Sequence, residues 1–147
     1  RKADLVLPNL TEASFMLGIP YRENYDEDYI REVLFRLTEK GARHAALTGI
    51  GFSPDKIGVY FYDAEKKSYY SYFNRKLPVS YHGTGDIFAS AALGGYMRGL
   101  SMEEALALAV DYTLECMVKT MDDENRRFYG VNFEEAIPML VERLAGK

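Results

Sequence analysis

Apolar residues recur along this chain with two different periods, and the changes of period divide it into elements. The opening ADLVLPN carries a short unbroken apolar run, which predicts a buried strand over residues 4–7, stopped by Pro8. NLTEASFMLGIP then reads as a short helix, with Asn9 as N-cap, Glu12 three residues on, and Gly18 and Pro20 ending it. In DEDYIREVLFRLTEKG, Ile30, Val33, Leu34 and Leu37 fall at helical spacing, and acids crowd the start of the helix. RHAALTG predicts a strand over 43–47. The aromatic and β-branched arms of KIGVYFYDAEKKSYYSYFNRKL predict a β-hairpin turning at residues 63–67. Helical patterns return at about 85–98 and at SMEEALALAVDYTLECMVKTM, where Ser101 and Glu104 form a second capping box. MDDENRRFYG reads as a polar loop. NFEEAIPMLVERLAGK is expected to be a final helix begun by Asn132, with Pro138 in its second turn as a point of kinking. The order β-α-α-β-β-β-α-α-α is that of an α/β layered sheet with helices on both faces and an added hairpin.

Composition narrows the classes. The 147 residues have the size of one domain, and 48% apolar with 27% charged residues is the balance of a folded globular chain. A net charge of -4 and a pI of about 5.3 argue against a nucleic-acid binder, which needs a basic stripe. Cys116 is the single cysteine, so neither an internal disulfide nor a cysteine-based zinc site is available. No apolar run has the length of a membrane span, and the start lacks the layout of a signal peptide, so no membrane partner and a cytoplasmic address are expected. The chain opens without methionine, as a processed product, a fragment or the ordered part of a longer protein would.

The chemistry concentrates in YHGTGDIFASAALGGYMRG, residues 81–99. Glycines ahead of a helix let a ligand approach the main chain, and the first helical turn offers unpaired N–H groups at the positive end of the dipole. Gly83, Thr84 and Gly85 therefore read as an anion hole, with Asp86 as a carboxylate able to take a proton from a hydroxyl. Those are the needs of phosphoryl transfer. The plainer reading is a tight turn with an ordinary first-turn acid. Ala89, Ser90, Ala91, Ala92, Gly94 and Gly95 make the following helix small-sided, which permits close packing that aims its N-terminus. Elsewhere, Asn9 and Glu12 read equally as a capping box. His44 and His82 have no ligand companion at a useful spacing in the sequence. Cys116 reads as a small buried hydrophobe, and the hairpin tyrosines as sheet packing or a subunit surface.

GTGDIFASAALGGYMRG resembles the second signature of the ribokinase-like (PfkB) superfamily. More narrowly, the chain resembles the C-terminal half of a pyridoxal/pyridoxamine kinase. LPNLTEA, ALTG and YGVNFEEAIPML are similar to further segments of that family, in the right order over nearly the whole chain. Leu7 stands where many members carry threonine, and Gly49 where many carry serine. The resemblance implies ATP-dependent phosphorylation of the 5′-hydroxymethyl group of a B6 vitamer. Asp86 would be the base, Gly83, Thr84 and Gly85 the anion hole, and Thr48 a phosphate contact. Asn9 and Glu12 would support Mg²⁺, partly through water, and Leu77, Val79 and Val118 would wall the adenine. It also implies a homodimer, and an N-terminal half carrying most of the vitamin pocket and lid. Residues 1–147 are then one nucleotide-binding C-terminal portion, expected to be inactive alone. Another ribokinase-like sugar or hydroxymethylpyrimidine kinase, or a non-catalytic nucleotide-binding fragment, would carry the same motifs.

Overall fold

In the computed structural model, which describes residues 3–125 and 129–145, the four strands form one sheet in the order β1-β2-β3-β4. These are β1 Leu5–Val6, β2 His44–Ile50, β3 Lys56–Asp63 and β4 Ser68–Arg75. β1 is parallel to β2, and β2 is antiparallel to β3 with His44 opposite Asp63. Helices α1, Leu10–Leu17, and α2, Glu27–Glu39, lie between β1 and β2 in sequence. The chain divides into two units, Arg1–Phe73 and Asn74–Lys147.

The first unit follows the apolar pattern closely. Ile30, Val33, Leu34 and Leu37 are each no more than 2% exposed and share a core with Leu10, Ala45, Leu47 and Tyr60. Burying each such side chain stabilises the fold by about 1.5–3 kcal/mol. The α1 cap is as read, with Asn9 and Glu12 forming a complete reciprocal box, and the structure adds a cap on α2, where Asp26 Oδ1 accepts the Tyr29 N–H at 2.9 Å. In the hairpin, Tyr60 and Tyr62 of β3 are buried, and Tyr62 stacks on the exposed Tyr69 of β4 at 4.5 Å between ring centroids.

The second unit is helical beyond the end of β4: α3 Thr84–Met97, α4 Met102–Asp122, a 3-10 turn at Glu134–Ala136 and α5 Ile137–Leu144. The small side of α3 packs on α4, and at Gly95 the neighbouring side chains leave little room for a Cβ. A Cβ there would lie 3.1 Å from Leu100 Cδ1 and 3.3 Å from Leu108 Cδ2. The end of the chain departs from the expectation of one helix begun by Asn132. The Asn132 N–H donates to Thr120 Oγ1 at 2.8 Å, and its side-chain amide donates to Asp123 Oδ2 at 2.8 Å. Asn132 thus fastens the segment to the end of α4, and α5 starts only at Ile137. Pro138 falls in the first turn of α5, where its missing N–H breaks no helical bond, so it starts the helix instead of kinking it. Part of the expected polar loop is the end of α4, while Arg126, Arg127 and Phe128 lie outside the described residues.

Candidate phosphate-binding and active site

The head of α3 is built as an uncapped helix start. Gly83 occupies the N-cap position with φ +82°, a left-handed conformation that costs other residues about 1–2 kcal/mol, and no side chain caps the first turn. A Cβ on Gly83 or Gly85 would meet nothing within 4 Å. A ligand therefore has room to approach the main chain at both glycines, and the exposed Asp86 carboxylate stands in the same turn. Thr84 Oγ1 donates to the Tyr81 carbonyl at 3.4 Å. Asp86 also borders a cavity of about 390 Å³ within the second unit. Its walls include Ser90 and Gly94, one and two turns beyond Asp86, faced by Tyr112, Phe133 and Leu140. Burial pushes the Tyr112 phenol up to about 12, so it stays protonated, and its O–H donates to the Phe133 carbonyl at 3.0 Å.

In the first unit the sheet brings together residues 39 positions apart. The parallel β1–β2 pairing continues as a bridge between Asn9 and Thr48, and the Thr48 N–H donates to the Pro8 carbonyl at 3.0 Å. Just after Thr48 the β2–β3 register shifts, with Gly49 at φ +70°. Asn9 Oδ1 accepts the Glu12 N–H at 2.8 Å, and Glu12 Oε2 accepts the Asn9 N–H at 2.9 Å. The box leaves most of the Glu12 carboxylate's acceptor capacity, a donor set of oxygens that fits a hard cation. Asn9, Glu12 and Thr48 thus form one cluster, and Gly83–Asp86 another. Leu77 and Val118 are half-buried and Val79 is 38% exposed, and none of the three lines the cavity beside Asp86.

Two groupings escaped the sequence reading. Ser90 was legible at i+4 from Asp86, but Tyr112 reaches the cavity from α4 and had no local signal. His44 does have ligand-type companions: Asp63 and Glu65 stand beside it through the β2–β3 register.

The profile of the phosphomethylpyrimidine kinase family matches residues 1–128. The chain belongs to this family. Its ribokinase-like α/β fold is shared at a TM-score of 0.86 with a candidate phosphomethylpyrimidine kinase from Bacteroides thetaiotaomicron VPI-5482, solved in an orthorhombic form with pyridoxal. That match has 31% identity and covers 94% of this chain and 49% of the other. Pyridoxal kinase from Staphylococcus aureus in complex with AMP-PCP matches at a TM-score of 0.75 and 27% identity, covering 90% of this chain and 47% of that one. The thiamine biosynthesis bifunctional protein ThiED of Geobacter sulfurreducens is 35% identical over 111 residues, 75% of this chain and 22% of that protein. The chain thus spans about half the length of these solved relatives. Kinases of this family are phosphotransferases, and no helix among the described residues is long and apolar enough to cross a membrane.

Proposed function

We propose that this chain is the nucleotide-binding and catalytic portion of an ATP-dependent kinase that phosphorylates the 5′-hydroxymethyl group of a B6 vitamer. The observation that carries the reading is the uncapped head of α3, with open space at Gly83 and Gly85 and an exposed carboxylate in the same turn. The solved relative in complex with AMP-PCP supports nucleotide use, and the relatives named for pyridoxal support the vitamer. Asp86 accepts the proton of the substrate hydroxyl as its oxygen attacks the γ-phosphorus and the bond to the β–γ bridging oxygen breaks. The N–H groups at Gly83, Thr84 and Gly85 hold negative charge on the transferring phosphoryl group. Thr48 contacts the nucleotide phosphates, and Leu77, Val79 and Val118 border the adenine. Asn9 and Glu12 would hold Mg²⁺, partly through water, and the ion would supply positive charge against the nucleotide phosphates.

Residues 1–147 act as one portion of a larger ribokinase-like domain whose remainder supplies the vitamin pocket and lid, in a cytoplasmic homodimer. The share of its solved relatives that the chain spans supports the missing remainder, and exposed apolar side chains such as Phe15 at 83% and Met97 at 74% are surfaces that the remainder or a second copy would cover. A second reading, phosphorylation of a hydroxymethylpyrimidine for thiamine synthesis, is favoured by the family matched and by the 35% identical relative.

The test uses the complete protein with pyridoxal, pyridoxamine and hydroxymethylpyrimidine as acceptors. Asp86→Asn should lower kcat by about 10²–10⁴-fold while calorimetry finds ATP affinity nearly unchanged. Surviving turnover would remove Asp86 as the base. A preference for the pyrimidine acceptor would select the second reading.

A further inference from the structure

We propose that the turn end of the β3–β4 hairpin is a site for a divalent transition metal, held by His44, Asp63 and Glu65. The sheet register sets His44, the first residue of β2, opposite Asp63, the last of β3. His44 Nδ1 lies 3.5 Å from Asp63 Oδ1, and the imidazole is held beside the Phe61 ring at 5.8 Å. One ligand atom from each of the three residues lies within 4.8 Å of the others.

The imidazole points to a ligand. Its side chain is 19% exposed, and Nδ1 itself is buried without a hydrogen-bond partner. Nδ1 faces Asp63 Oδ1 at 3.5 Å without hydrogen-bond geometry, a loose pairing that a cation coordinated by both would replace. Asp63 is 4% exposed, and its Oδ1 accepts the N–H groups of Glu65 at 2.9 Å and Lys66 at 3.0 Å. Such outer bonds fix a ligating carboxylate in place. One imidazole with two carboxylates is a borderline donor set, suited to Zn²⁺ or Co²⁺ more than to Mg²⁺. Three protein ligands leave a coordination position for water.

Two cations contend for the same carboxylates. Lys66 Nζ is 3.7 Å from Asp63 Oδ2, and Arg43 Nε is 3.7 Å from Glu65 Oε1. Both side chains are well exposed, at 70% and 65%, so a metal displaces them at little cost. The site is independent of the kinase reading, because His44 lies four residues, about 13 Å, along β2 from Thr48.

The experiment titrates Zn²⁺ into the chain by calorimetry and Co²⁺ by visible absorbance, with circular dichroism of every variant. Wild type should bind one Zn²⁺ in the micromolar range and give a Co²⁺ ligand-field band. His44→Ala should abolish the band. Glu65→Gln, on the exposed turn where folding is not at stake, should weaken Zn²⁺ at least about tenfold. Lys66→Ala should tighten binding by removing the competing ammonium. Absence of binding, or an affinity unmoved by Glu65→Gln and Lys66→Ala, would overturn the site.

Discussion

At the scale of single residues, Gly85 separates binding from folding. Its missing Cβ faces open space, so the fold has no steric need of glycine there. Gly85→Val should leave the unfolding free energy within about 1 kcal/mol of wild type, a β-branched residue replacing glycine in a helix. Nucleotide affinity in the complete protein should nevertheless fall at least tenfold, because the added methyls fill the space a phosphate needs. Equal affinity by calorimetry would count against the anion hole. Cys116 makes the opposite kind of case. Its place among apolar residues of α4 was readable as a buried small hydrophobe, and it is fully buried. Burial pushes the thiol up to about 11. A group whose folded pKa is raised lends stability that is complete below its unfolded pKa and lost as pH rises through the folded one. Stability should therefore decline between about pH 9 and 11, and Cys116→Ala should flatten that limb in urea titrations. A thiol reagent at pH 8 should label the native chain far more slowly than the unfolded one.

At the scale of elements, the capping boxes of α1 and α4 were legible because an N-cap is a contact over three residues. That same box holds Asn9 and Glu12, so its two proposed roles need a variant that parts them. Glu12→Gln keeps the reciprocal hydrogen bonds but removes the charge. Stability should change by only a few tenths of a kcal/mol, whereas the complete protein should need several-fold more Mg²⁺ for half-maximal rate. Unchanged Mg²⁺ dependence would leave Glu12 a cap alone. The closing segment shows where local signals failed. Asn132 followed by Glu135 has the spacing of a cap, yet its N–H is taken by Thr120 on α4, twelve residues earlier. Thr120 is fully buried and also donates to the Cys116 carbonyl at 2.6 Å. Thr120→Val should cost about 1–3 kcal/mol in chemical unfolding, because the Asn132 N–H then loses its partner. An undiminished unfolding midpoint would mean that water replaces it.

At the scale of the whole molecule, the chain spans about half the length of its solved relatives. If the remainder of the domain carries the vitamin pocket, the isolated chain should give no detectable pyridoxal phosphate, and co-expression with a relative's complementary half should restore turnover. Activity of the chain alone would reverse that expectation. The sequence by itself determined the elements as far as α4, the buried face of α2, the two capping boxes and the Gly83–Asp86 motif. Each of these depends on residues within a turn or two, where period, propensity and hydrogen-bond reach act locally. Only the tertiary structure decided that Asn9 adjoins Thr48, that Tyr112 reaches the cavity beside Asp86, and that His44 meets Asp63. These contacts follow from strand register and helix packing, which join residues 19 to 39 positions apart and leave no periodic trace in the chain.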